Sequence, residues 1–214
     1  MSVEDEAKRN FKLNKSLPEK YQISVLKYFW QASPLSSNKK DNIPKFLKQI
    51  KLLSDFSDNE LRTLSSFFHI RSYSSDEVIF EQNDSGFGFY IIFTGHVEVM
   101  ARKNIELDDS DDSELDELVN IATLERNDYF GELALLQEDS IRSATAVSRE
   151  HTILLGLFKP DMDELLEYHP HLAAKFLKSI SMILANRLSV ATFEIKSLKY
   201  KLSLTDKNVV DKKL

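Results

Sequence analysis

Cysteine is missing from all 214 residues, which excludes disulfide staples, thiolate catalysis and cysteine-based zinc sites together. A reducing compartment is compatible with that composition. Glycine and proline are scarce, five of each, and there is one tryptophan. With so few glycines, one standing in a motif calls for a reason. No Walker loop occurs, and Gly86-Phe87-Gly88 lacks the third glycine of a dinucleotide fingerprint. The Gly-x-Ser-x-Gly elbow of serine hydrolases is missing as well. A binding protein is therefore expected rather than an enzyme. No apolar run approaches a membrane span, and the N-terminal residues hold no signal-peptide core; a soluble, cytoplasmic protein is expected. At 42% hydrophobic residues, the chain can bury one substantial core with appended helices.

The formal net charge of −6 hides an asymmetry. Residues 1–51 carry eleven Lys and Arg against five Asp and Glu, so this stretch is basic and the remainder acidic. A basic arm can touch an acidic partner, nucleic acid or an anionic membrane. It also holds the apolar run Tyr21 to Trp30, expected to pack on its own domain because exposed aromatics are costly. Ser33 to Asn38 reads as a linker. At the other extreme, residues 106–117 contain eight carboxylates and no basic residue. An EF-hand needs a turn glycine and spaced ligands. Neither is present, so a solvated loop and no metal are expected. His169-Pro170-His171 likewise reads as a helix-opening turn, not a metal pair.

One segment carries the chemistry: Tyr129 to Val147, YFGELALLQEDSIRSATAV. Gly131 lets the backbone take a positive φ or approach a ligand closely. Glu132-Leu133-Ala134-Leu135-Leu136 is expected to begin a short helix, whose first N–H groups lack intrahelical partners and attract an anion. Arg142, ten residues after Glu132, supplies a fixed positive charge and forked donors that match a phosphate. Glu132 can accept hydrogen bonds from a sugar hydroxyl. Together they read as a site for a ribose joined to a phosphate.

These residues resemble the phosphate-binding cassette of cyclic nucleotide-binding domains, whose pattern runs F-G-E-[LI]-[AG]-L, a variable stretch, then R-[SAT]-A. Here it stands as Phe130-Gly131-Glu132-Leu133-Ala134-Leu135 and Arg142-Ser143-Ala144. The resemblance implies that Glu132 binds the ribose 2′-hydroxyl and Arg142 the cyclic phosphate. Ser143 and the Gly131, Leu133 and Ala144 backbones would complete the pocket, with Ala134 inside the cassette. It implies cyclic AMP, or alternatively cyclic GMP, as a regulatory ligand. The step from Glu132 to Arg142 is similar to that of the catabolite activator group. Many eukaryotic members are one residue shorter, with proline before the arginine where this chain has Ile141.

The flanks agree. Val78-Ile79-Phe80 and Phe89 to Phe93 are β-branched and aromatic runs, separated by the turn-rich Asn83-Asp84-Ser85-Gly86. After Thr94-Gly95, His96 to Met100 alternates polar and apolar as a half-buried strand does. Short strands punctuated by turns predict a barrel or sandwich. Their order is also similar to the family's segment ahead of the cassette. Asn83 stands where the family has glycine, and asparagine is the next best residue at positive φ. Upstream, Ile43 to Leu53 is expected to be helical, with Pro44 at its first position and Phe46, Leu47, Ile50 and Leu53 on one face. Ser57-Asp58-Asn59-Glu60 signals a second helix carrying Leu61, Leu64, Phe67 and Phe68, leading into the barrel near Ile70.

From Pro170 to Leu202 there is no glycine and no further proline, so one long helix is expected. Leu177, Leu184, Leu188, Ala191, Ile195, Leu198 and Leu202 follow spacings of seven, four, three, four, three and four. That is an a/d seam, and a parallel homodimer is the simplest partner for it. The segment is similar to the dimer helix of the catabolite activator group. The match puts Ala191 and Thr192 where that group has its adenine-contacting Thr-Ser pair. Thr192 keeps a hydroxyl and Ala191 has lost one.

The resemblance covers roughly residues 46–202. Twelve residues follow Leu202, too few for a helix-turn-helix reader, so no DNA-binding domain is expected. The expected fold is mainly β with flanking helices, a β-barrel or jelly roll with N-terminal helices and a long C-terminal helix. Its expected divisions are a basic extension and linker (1–42), the barrel with its leading helices (43–168), the dimerisation helix (169–204) and a polar tail (205–214). The expected function is a dimeric cyclic nucleotide sensor that regulates a partner protein. The alternatives are a nucleotide-independent interaction module of the same fold, or an adaptor touching membrane or nucleic acid through its basic arm.

Overall fold

The computed structural model describes residues 43–102 and 118–210, with side chains through residue 202. The basic arm, its run Tyr21 to Trp30, the linker at Ser33 to Asn38 and the acidic stretch 106–117 lie outside the described residues.

The first helix among the described residues, α1 (Ile43–Leu47), is shorter than its sequence predicts. Gln49 N donates to Phe46 O and Ile50 N to Leu47 O, at 2.9 and 3.1 Å, three-residue spacings that end the α-helix. Ile50 is extended (φ −76°, ψ 123°) ahead of a 3-10 turn, Lys51–Leu53. The reason is burial. A regular helix would aim Leu52 away from the stripe of Phe46, Leu47, Ile50 and Leu53. The break lets Leu52 join them in the interior.

The second helix, α2 (Asp58–Ser65), begins where expected. Ser57 Oγ accepts from Glu60 N at 3.3 Å, and Glu60 Oε2 accepts from Ser57 N at 2.7 Å, a reciprocal capping box. Leu61 and Leu64 are buried within it, and Phe67 and Phe68 are buried just past its end.

Among the described residues, eight strands follow: β1 (His69–Tyr73), β2 (Val78–Phe80), β3 (Gly88–Thr94), β4 (Val97–Arg102), β5 (Leu118–Leu124), β6 (Tyr129–Phe130), β7 (Thr145–Ser148) and β8 (Thr152–Phe158). They form two antiparallel four-stranded sheets, ordered β1-β8-β3-β6 and β2-β7-β4-β5. Sequential neighbours are mostly in different sheets, the pattern of a jelly roll. The fold is mainly β with flanking helices, as expected. The strands foreseen at 78–80 and 89–93 are β2 and β3, and Asn83 between them takes φ 70°.

Strand β8, TILLGLF, is buried at every position because β1 and β3 flank it and both its faces are covered. The core draws Tyr73, Ile79, Phe80, Tyr90, Ile92, Val97, Phe130, Ala146, Leu154 and Phe158 from both sheets. The clean alternation expected of His96 to Met100 is not observed. Val97 is fully buried, but Glu98, Val99 and Met100 are all half-buried. A register shift against β5 between Val99 and Met100 bends the strand and blurs its two faces.

Three further helices complete the description: α3 (Leu133–Leu136), α4 (Lys159–Tyr168) and α5 (Pro170–Val210). His169 ends α4 and Pro170 opens α5, so the His169-Pro170-His171 segment is the helix-opening turn its sequence suggests. The chain divides into two compact units, Met1–Ala173 and Ala174–Leu214. In the second unit α5 is unbroken to Val210. Leu188, Ile195, Leu198 and Leu202 of the seam are exposed along it, and so are Val190, Phe193 and Tyr200 outside the seam. Among the described residues, no helix is long and apolar enough to cross a membrane.

Candidate functional site

The cassette reverses the chain between β6 and β7. Strand β6 pairs with β3, setting Tyr90 opposite Phe130 and Ile91 opposite Tyr129. At its end Gly131 turns with φ 78°. A Cβ there would stand 2.7 Å from Arg142 Nη1 and 2.8 Å from the Gly88 carbonyl oxygen. Both the backbone conformation and the space therefore require glycine.

Glu132 follows in the helical region (φ −60°, ψ −29°), and its side chain is buried. The expected helix is present as α3 but is a single turn. Ala134 N donates to Gly131 O and Leu135 N to Glu132 O, both at 3.1 Å. Two of the amides expected to attract an anion are thus already bonded to the cassette's own backbone. The positive charge of the site comes from Arg142 instead.

Arg142 is fixed first through its backbone. Asn83 N donates to Arg142 O at 2.9 Å, Arg142 N to Asp84 O at 2.8 Å, and Gly86 N to Ser140 O at 2.7 Å. These bonds stitch the turn between β2 and β3 to residues 140–142. The guanidinium is turned inward and is only 4% exposed. Its Nη1 donates to Gly88 O at 3.1 Å, while Nε and Nη2 are buried with no hydrogen bond to these two atoms among the described residues. Its Cζ lies 3.9 Å from the Phe80 ring centroid and 5.7 Å from that of Tyr90. A Cβ on Gly86 would come within 3.1 Å of Ser140 Oγ and 3.4 Å of Arg142 Nε. Bare backbone at two glycines thus borders the cation, with no space for a side chain at Gly131 and little at Gly86.

The sequence-predicted residues are distributed as follows. Gly131 and Arg142 are brought together, Glu132 follows Gly131 in the chain with its side chain buried, and Ala134 is buried beside Gly86, where an added Cβ would lie 3.3 Å from its own. Ala144 is buried, whereas the Ser143 and Leu133 side chains are exposed. Thr192 lies exposed on α5 in the second unit. Sequence reasoning missed Phe80, Asp84, Gly86, Gly88 and Ser140 as parts of the cradle. Gly86 and Gly88 did carry a signal, as two of only five glycines.

Two contacts tie the cassette's surroundings to α4. Lys159 Nζ donates to the carbonyls of Gln137 and Glu138, at 2.8 and 2.9 Å, just beyond α3. Deeper in, Asp161 accepts from Phe158 N at 3.1 Å and pairs with His69 Nε2. Arg71 is buried close by, and its burial pushes the guanidinium below its ordinary pKa; Tyr73, Tyr90 and Asp161 oppose that shift electrostatically. Among the described residues, no group of three or more His, Asp or Glu side chains is placed to hold a metal ion.

The profile of the family described as "Cyclic nucleotide-binding domain" matches residues 70–169, from β1 through the end of α4. Residues 70–169 belong to the cyclic nucleotide-binding domain family. The chain is 30% identical over 154 residues to the Cyclic AMP receptor protein of Thermus thermophilus, covering 72% of this chain and 64% of that protein. It is 31% identical over 129 residues to the cAMP-dependent protein kinase regulatory subunit of Candida albicans, covering 60% of this chain and 25% of that protein. It thus spans less than two thirds of either relative. Among solved structures, a cyclic nucleotide-binding domain from Methylobacillus flagellatus aligns with a TM-score of 0.57 at 25% identity, over 71% of this chain and 79% of that one. Within this cyclic nucleotide-binding domain, Gly131, Glu132 and Arg142 all fall inside the matched residues, and Thr192 falls outside them.

Proposed function

We propose that the protein is a cyclic nucleotide sensor, taking cyclic AMP in preference to cyclic GMP, that regulates a partner protein. The observation that carries this reading is the closure of Gly131 on Arg142. A left-handed glycine leaves its bare backbone against a buried guanidinium, and the buried Glu132 carboxylate follows it directly in the chain. Arg142 takes the cyclic phosphate as a charge-assisted acceptor. Glu132 accepts from the ribose 2′-hydroxyl, while Ser143 and the Gly131, Leu133 and Ala144 backbones enclose the phosphate and Ala134 lines the wall. The names of the Thermus and Candida relatives favour cyclic AMP. Thr192 is assigned to the base, and the seam of α5 to a second copy of the chain. Ligand binding would then bias the paired helices and whatever protein reads them.

Calorimetry on the full chain with cyclic AMP, cyclic GMP and cyclic di-GMP tests the ligand. The expected order is cyclic AMP, then cyclic GMP, with no response to cyclic di-GMP. Absence of heat and of competition with either cyclic mononucleotide would leave a fold without its ligand and overturn the proposal.

A further inference from the structure

The guanidinium assigned to the phosphate rests on an aromatic ring as well as on a hydrogen bond. At 3.9 Å from the Phe80 centroid, Arg142 Cζ can only lie over the ring face, because an approach in the ring plane is stopped by the ring's own edge atoms. The face is where an aromatic quadrupole is negative. Phe80 is itself held firmly. It is buried and sits in β2 opposite Ala146 of β7. Its ring packs on Phe130 and Tyr90, at centroid distances of 5.8 and 6.2 Å, and those two stack on each other at 5.4 Å. Strands β2, β3 and β6 thus each supply one ring to a platform beneath the cation.

We propose that Phe80 is a positioning residue for the ligand, whose ring face holds the Arg142 guanidinium in the attitude that receives the anion. The inference rests on reading Arg142 as the counter-charge of the phosphate. Arginine has many rotamers, and ordering it at the moment of binding costs affinity. When only a fraction of molecules present the group correctly, the apparent Kd rises by the inverse of that fraction. Many apolar side chains fill a core position, but only an electron-rich ring holds a cation there. That difference separates a positioning role from a packing role.

The test replaces Phe80 in the full chain with mono-, di- and trifluorophenylalanine, which weaken the quadrupole stepwise while nearly preserving shape. Calorimetry with cyclic AMP reads each variant. Kd is expected to rise with each fluorine, reaching about three- to thirty-fold for the most depleted ring. The same series at Phe130, which packs on Phe80, should leave Kd nearly flat, and Phe80→Leu should weaken binding at least as much as the trifluoro ring. A flat series at Phe80, or an equal rise at both positions, overturns the inference while leaving the ligand reading intact. A wild-type chain that binds neither cyclic AMP nor cyclic GMP overturns both.

Discussion

His69 Nε2 lies 3.0 Å from Asp161 Oδ1, joining residues 92 positions apart in sequence. The pair connects β1 to the first turn of α4, the helix that follows the last strand. Both side chains are largely sheltered, at 13% and 4% exposure. The other Asp161 oxygen accepts from Phe158 N, so one carboxylate caps the helix and fastens it to the barrel at once.

Asp161→Ala should therefore destabilise the protein by about 1–3 kcal/mol, because it strips the acceptor from buried donors. Asp161→Asn keeps an acceptor oxygen and should lose less. Urea unfolding followed by tryptophan-independent far-ultraviolet dichroism measures both. A loss below about 0.5 kcal/mol for the alanine variant would mean that the pair contributes no more than an ordinary exposed contact.

At the cassette, Arg142→Ala should abolish or greatly weaken cyclic nucleotide binding, since a buried phosphate would lose its counter-charge. Glu132→Ala should cost less, about 0.5–3 kcal/mol, the range for a hydrogen bond with or without charge assistance. Unchanged affinity in Arg142→Ala would remove the basis of the ligand assignment.

Just past the end of β7, Arg149 bonds Glu98 at 2.7 Å and Asp76 at 2.9 Å. The Arg149 bond, aided by Ser75, holds the Asp76 carboxyl below its usual pKa. A carboxylate lowered in this way stabilises the fold above its unfolded pKa of about 3.9. That contribution is lost as pH falls through the lower folded value. Asp76→Asn tolerates the left-handed backbone at this position (φ 61°). Its melting temperature should fall slightly below wild type at neutral pH, and the two should converge in strong acid. High salt should shrink the neutral-pH gap, and a gap that widened in acid would contradict the sign.

For the long helix, Leu188→Asp combined with Ile195→Asp should turn the proposed dimer into monomers, each change placing a charge in an apolar seam. The barrel should survive, since both substitutions lie in the second unit. Sedimentation at micromolar protein with cyclic AMP present is decisive. A wild type that runs as a monomer would end the dimer-coupled mechanism without touching the cassette.

Features written in a few adjacent residues were legible in the sequence. The capping box at Ser57 and Glu60, the left-handed Asn83, the strands of Val78–Phe80 and Gly88–Thr94, and the Gly131 turn all follow from local chemistry. Tertiary demands were not legible. Nothing near Ile50 announces that the first helix must break so that Leu52 can turn inward. The alternation at His96 to Met100 gave no warning of the bulge against β5. The cradle depends on Asp84, Gly86 and Gly88 meeting residues 140–142, and that encounter is set by sheet pairing. The α3 amides illustrate the same limit. Their sequence predicts open donors, and the tightness of the turn closes two of them.

The pairing of β1 with β8 has one more consequence. His69, where the barrel begins, sits opposite Gly156, two residues before it ends, so the chain arrives and departs about one inter-strand spacing apart, roughly 4.8 Å. Geometrically the barrel is a closed loop hung from a single point. Such a unit can be spliced into a surface loop of a host protein, or strung in series with copies of itself, without prising the host's own backbone apart.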